Sequence, residues 1–114
     1  MNERRRHRLA GNILQALEDI LSRNVSDSRL AYVHVTRVKL SRDGSHASVF
    51  YETTGTEEQR TEAEEAMESA RGYLRSQLAS MIRMKAIPAL SLIHDESGER
   101  GDRTLDIIRG LEGD

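Results

Sequence analysis

Apolar and polar positions alternate along this chain with two different periods, and the changes of period mark its elements. Leu9, Ile13, Leu14, Ala16, Leu17, Ile20 and Leu21 recur at three and four residues, which predicts an amphipathic helix ending near Arg23. Gly11 loosens its first turns, and the polar run from Asn24 to Ser28 stops it. Val33 to Ser41 and His46 to Thr53 then read as two strands around Arg42-Asp43-Gly44-Ser45, whose Asp-Gly step is a hairpin signal. Pairing Ser41 with His46 sets Leu40 opposite Ala47, Val38 opposite Val49 and Thr36 opposite Tyr51 on an apolar side. The other side carries Lys39 opposite Ser48, Arg37 opposite Phe50 and Val35 opposite Glu52. Val33 and Val35 are out of phase with Val38 and Leu40, so a bulge is expected near Thr36.

A long helical pattern follows. Thr56 with Gln59 has the form of a capping box, and Ala63, Ala66, Met67, Ala70, Leu74, Leu78 and Ile82 form one stripe to about Met84. Gly72 interrupts it at a cost of roughly 1 kcal/mol against alanine. The expectation is a break at Ser69, Ala70, Arg71 and Gly72. Gly72 there either begins an electropositive helix start suited to phosphate or only separates two core helices. Pro88 holds Ile87 extended, and Ala89 to His94 with Leu90, Leu92 and Ile93 gives a third strand. A polar loop from Asp95 to Asp102 leads to a short helix from Thr104 to about Leu111, expected to be mobile because of Gly110 and Gly113.

These elements make an α+β domain of two layers, in the order α-β-β-α-α(kinked)-β plus a weak C-terminal helix, with helices on one face of a three-stranded sheet. The expected organisation is a basic lead-in over 1–8, a domain over 9–95, and a loop with the terminal helix over 96–114. At 114 residues one core is all the chain can build. It has no cysteine, no apolar run of membrane-spanning length and no signal-peptide pattern, so the expectation is a monomer in the cytoplasm with no membrane partner.

The net charge of −2 hides a segregation. Arg4, Arg5, Arg6 and Arg8 cluster at the start; Arg29, Arg37, Lys39 and Arg42 fall in a stretch free of acids; Arg71, Arg75, Arg83 and Lys85 follow the break. Acids collect between Glu57 and Glu68. If the basic clusters share a side they make a phosphate footprint, and if not they are ordinary solvated charge. Arg75, Ala79 and Arg83 at i, i+4 and i+8 predict a basic exposed face, so the binding assignment is Arg71, Gly72, Arg75, Arg83 and Lys85 with the lead-in arginines. Arg29, Arg37, Lys39 and Arg42 are secondary, with Arg37 and Lys39 turned to the sheet side away from the helices.

Little supports catalysis. His34 and His46 fall roughly 20 Å apart along the paired strands, too far to share a metal. No G-x-S-x-G elbow or phosphate-binding glycine loop is present, and adjacent glutamates such as Glu64 and Glu65 point about 100 degrees apart on a helix. No catalytic residue, metal, cofactor or small-molecule substrate is expected. One Phe, three Tyr and no Trp also supply few stacking platforms for bases.

Several segments in order carry a resemblance. Asp27-Ser28-Arg29-Leu30, Val38 to Asp43 followed by Ala47-Ser48-Val49, Ala70-Arg71-Gly72 with Leu74-Arg75, and Ile87-Pro88-Ala89-Leu90 with Asp95 and Ser97 resemble the bacterial ribosome-binding factor A family from about Arg5 to Leu111. The resemblance implies a type II KH-like fold and a non-catalytic assembly factor. Such a factor binds the immature small ribosomal subunit and its rRNA, and assists late maturation and rRNA processing. The chain departs from the family in having Ser28 where proline is usual, and in lacking a long charged tail. Its break has a single Gly72 where an ordinary KH domain has Gly-x-x-Gly, so charge and shape fit better than a four-nucleotide clamp. Two other readings stand beside this one: a KH-like module acting on other RNA, and a protein-docking adaptor using the acidic helix from Glu57 to Glu68.

Overall fold

The computed structural model describes residues 1–23 and 26–95. Helix α1 runs Glu3–Arg23, a 3-10 turn Ser28–Tyr32 leads into β1 (Val33–Leu40), and β2 (His46–Thr53), α2 (Glu57–Met81) and β3 (Ala89–His94) follow. The sheet order is β1-β2-β3, with β1 and β2 antiparallel and β2 and β3 parallel. β2 is therefore the centre, and β1 and β3 are the two edges. The terminal helix expected from Thr104 to Leu111 lies outside the described residues.

Cross-strand rows show why both helices cover one face. Leu40, Ala47 and Leu90 form one row and Val38, Val49 and Leu92 the next. These rows meet Ile13, Leu17 and Ile20 of α1 and Ala63, Ala66, Met67, Leu74 and Leu78 of α2 in a single core. The opposite, helix-free face carries Lys39, Ser48 and Ser91, then Arg37, Phe50 and Ile93, in register.

The hairpin keeps the expected pairs from Leu40 with Ala47 up to Arg37 with Phe50. Beyond them the register shifts: Val35 pairs with Tyr51, not Glu52, and Thr36 is the extra residue of a bulge. Burial explains the shift, because it turns Val33 and Val35 into the core at 5% and 8% exposure. The Thr36 hydroxyl donates to the Phe50 carbonyl at 3.3 Å. In the turn, Gly44 is buried with φ of 75°, a backbone conformation that favours glycine, and its N–H bonds the Ser41 carbonyl at 2.9 Å.

One expectation about the helices is extended and one is corrected. The basic lead-in is helical, since α1 begins at Glu3 with the Asn2 side chain accepting the Arg5 N–H at 2.8 Å. The break at Ser69 to Gly72 is absent, and α2 is one helix of 25 residues ending at Met81. Its capping box is formed: the Thr56 hydroxyl accepts the Gln59 N–H at 3.1 Å, and the Gln59 side chain accepts the Thr56 N–H at 2.8 Å. The buried stripe stays in phase across Gly72, so burial on the far side of the helix outweighs a glycine penalty of roughly 1 kcal/mol. The described residues thus contain two α-helices rather than three.

Candidate nucleic-acid interface

α1 packs on the edge strand β1, and its buried stripe reaches back through Ala10 to the half-buried Arg6. Between this half of the helix and β1 lies an open groove of about 790 Å³. Its floor is apolar or small, from Ala10, Gly11 and Leu14 on the helix and Val38 and Leu40 on the strand. Its border is lined by Arg6, His7, Arg37, Lys39 and Arg42 and, among the described residues, by no carboxylate. One lead-in arginine thus borders the same groove as the segment from β1 to Arg42, although Arg37 and Lys39 belong by register to the helix-free face. Arg4, Arg5 and Arg8 are exposed on neighbouring turns of the same helix.

Arg37 also belongs to the helix-free face, where its guanidinium lies 4.5 Å from the centre of the Phe50 ring. Nearby, Asp43 is absorbed by the hairpin turn. Its Oδ1 accepts the Ser45 hydroxyl at 2.7 Å, the Ser45 N–H at 3.0 Å and the Ser41 hydroxyl at 2.9 Å. These bonds, those from Ser45 foremost, lower its pKa to about 2. The carboxylate beside Arg42 is therefore held by turn donors.

The other basic residues are engaged differently. Arg29 makes a two-pronged pair with Asp27, Nε at 3.0 Å from Oδ1 and Nη2 at 2.8 Å from Oδ2. That hydrogen bonding lowers the Asp27 pKa and raises that of Arg29, with Glu65 and Glu62 of α2 adding to the latter. Arg71 lies 3.4 Å from Glu68 one turn back. Arg75 donates to the Pro88 carbonyl from Nε at 3.1 Å and to the Ile87 carbonyl from Nη2 at 2.9 Å, tying α2 to the entry of β3. Arg83 and Lys85 are exposed in the segment between them.

At the expected kink, Ser69 and Gly72 are exposed and Ala70 packs against the core. Their amides lie inside α2, so no helix start presents free N–H groups there. A Cβ on Gly72 would meet no atom within 4 Å, and the same holds for Gly11 in the groove. Reading by charge runs missed the groove, whose signal was Gly11 beside Ala10 on an otherwise large apolar stripe.

Among the described residues no three His, Asp or Glu are placed to hold a metal. His46 Nε2 and Ser91 Oγ are 2.6 Å apart as an exposed tie between β2 and β3. His94 packs edge-on against Tyr51, with Nε2 3.0 Å from the Thr53 hydroxyl. Both contacts join strands. No helix among the described residues is long and apolar enough to cross a membrane.

A family model described as ribosome-binding factor A matches residues 5–108. The ribosome-binding factor A of Carboxydothermus hydrogenoformans is 39% identical over 92% of this chain and 84% of its own length. Among solved structures, the crystal structure of ribosome-binding factor A from Thermus thermophilus is similar with a TM-score of 0.67 and 31% identity, covering 78% of this chain and 93% of that one. A homology model of the Thermus thermophilus factor, fitted into a cryo-EM map of its complex with the 30S subunit, gives a TM-score of 0.63 and 31% identity, covering 76% of this chain and 91% of that one.

Proposed function

This chain belongs to the ribosome-binding factor A family, and on that premise we propose that it binds the immature 30S small ribosomal subunit and its 16S rRNA, assisting late maturation and rRNA processing without catalysis. The observation that carries this reading is the groove, where Arg6 and Arg42 border an apolar floor with, among the described residues, no acid in the lining. Arginines that bind phosphate must have donors to spare, and a cluster on one rim acts on a polyanion as a unit. Arg4, Arg5 and Arg8 extend the positive field along α1. The tie of Arg75 to two carbonyls makes it a structural residue first, so the groove ranks ahead of α2 as the rRNA contact. Arg83 and Lys85 form a second, smaller basic stretch on the β3 side. The 30S complex fitted for the Thermus thermophilus factor supports the choice of partner.

Sedimentation of the native protein from cell extracts tests the reading, together with 16S rRNA precursor levels in depleted cells. The protein is expected with free small subunits, precursor is expected to accumulate on depletion, and a variant carrying Arg6→Gln and Arg42→Gln should restore maturation poorly. Residence on mature polysomes, or partners that survive ribonuclease while subunit binding does not, would overturn it.

A further inference from the structure

The antiparallel ladder fixes which backbone groups of β1 face outward. Ser41 donates to the His46 carbonyl at 2.8 Å and Thr54 to the Tyr32 carbonyl at 3.0 Å, so both are bonded pairs. Alternation from Ser41 back along the strand makes Lys39 and Arg37 bonded positions and turns the N–H and C=O of Val38 and Leu40 toward the free edge. On the far side of the bulge the same alternation turns Val35 outward. There the carboxylate of Glu18 accepts its N–H at 2.6 Å. Among the described residues the edge is thus closed at Val35, turned at Ser41, and open toward the groove at Val38 and Leu40.

We propose that this groove is a site for single-stranded RNA, which lays unpaired bases against Val38 and Leu40 and sets their phosphates on Arg6 and Arg42. The proposal deepens the rRNA reading above and rests on it. Two outward amide and carbonyl sets, about 7 Å apart along the strand, offer alternating donors and acceptors of the kind displayed by the edge of a base. A paired base has already used that edge, so these groups select unpaired nucleotides. The apolar floor suits base faces, and the basic border suits the backbone that joins them. Gly11 keeps the groove open, because a side chain at this exposed position would project into space that no atom occupies within 4 Å. A peptide adding as a further strand would find only this short stretch between Glu18 and the turn, and Arg6 and Arg42 at the border, with no carboxylate lining the groove among the described residues, favour a polyanion.

The test compares hexauridylate with a twelve-pair RNA duplex by amide chemical-shift titration of the full chain, at matched salt. Hexauridylate should shift Gly11, Val38, Lys39 and Leu40, and the duplex should not. Gly11→Leu adds bulk without changing charge, and replaces glycine by a good helix former in open space, so it should raise the thermal midpoint. It should also weaken hexauridylate binding about tenfold, the effect of losing one stacked base. Equal binding of duplex and single strand, or full affinity in Gly11→Leu, would overturn the site. So would an acidic peptide that shifts the same amides while hexauridylate does not. Sedimentation separates the two failures: if Gly11→Leu and wild type both travel with small subunits and both bind hexauridylate equally, the groove assignment alone is wrong. If neither travels with subunits, the functional reading itself is wrong.

Discussion

The two long helices lie on the same face of the same sheet and handle charge in opposite ways. α1 carries four arginines near its start and packs on an edge strand, leaving a basic groove beside it. α2 carries six glutamates in its first half, and its two later arginines are turned to other protein groups, Arg71 to Glu68 and Arg75 to the carbonyls of Ile87 and Pro88. The difference lies in what the fold does with the donors: those of Arg71 and Arg75 already serve protein groups. It also lies in helix position, which decides exposure: an edge strand leaves room for a partner, whereas α2 sits across the sheet with alanines at Ala63 and Ala66 in full burial.

The largest expected effect breaks the α2 side alone. Leu74 has 0% exposure on the buried face of the helix, away from the exposed Gly72, so Leu74→Ala should lower stability by about 2–5 kcal/mol in urea unfolding. RNA affinity per folded molecule should hardly change. A loss of affinity beyond the unfolded fraction would mean that α2 takes part in binding directly.

Next in size is the contrast between Arg75 and Arg42. Arg75→Gln removes two charge-assisted bonds to backbone carbonyls at a partly exposed site, and about 1–2 kcal/mol of stability should go with them. Its slope of log affinity against log salt should stay as in the wild type. Arg42→Gln should do the reverse, with stability within about 0.5 kcal/mol and the slope smaller by about 0.7–0.9. Should Arg75→Gln change the slope and Arg42→Gln leave it alone, the footprint lies on α2 after all.

How much of this could be read from residues alone follows from the range of the forces. Periodicity and local pairing placed α1, the hairpin, the capping box, the bulge and β3, because each is set by neighbours within a few positions. The break at Gly72 was misread because a local penalty was weighed without the tertiary burial that overrides it. The groove was not legible for a different reason. A hairpin followed by a strand leaves open which hairpin strand becomes the centre, and only the pairing of β3 with β2 makes β1 an edge. Arg6 and Arg42 come to border one groove through that choice. The bonds of Arg75 to Ile87 and Pro88 likewise depend on how a loop closes.

A smaller effect separates the two exposed helix glycines. With α2 unbroken and open space at the Cβ position, Gly72→Ala should raise stability by about 0.5–1 kcal/mol and leave RNA binding intact. Gly11→Ala should stabilise by a similar amount but begin to weaken binding, since its methyl enters the groove. If Gly72→Ala weakens binding as much, the α2 surface is approached by RNA.

The smallest expected effects are pH dependences, which also sort by region. Tyr51, in the core beside α2, has its pKa raised to about 12 by burial and then by Glu64 and Glu68. A raised folded-state pKa gives stability that is complete below the unfolded value, about 10, and is lost as pH climbs through 12. Asp43, at the groove end of the hairpin, is shifted the other way, to about 2, by the Ser45 and Ser41 donors. A lowered carboxylate pKa gives stability that is present above the unfolded value, about 3.9, and is lost as pH falls toward 2. Thermal melts between about pH 5 and 2 should therefore show an acid limb that is shallower in Asp43→Asn. The same substitution should leave the alkaline limb above about pH 10 untouched, because Tyr51 answers to α2 and not to the turn. An acid limb that is as steep in Asp43→Asn as in the wild type would mean that the three donors do not hold the carboxylate in solution, and that Asp43 is available to oppose the charge of Arg42.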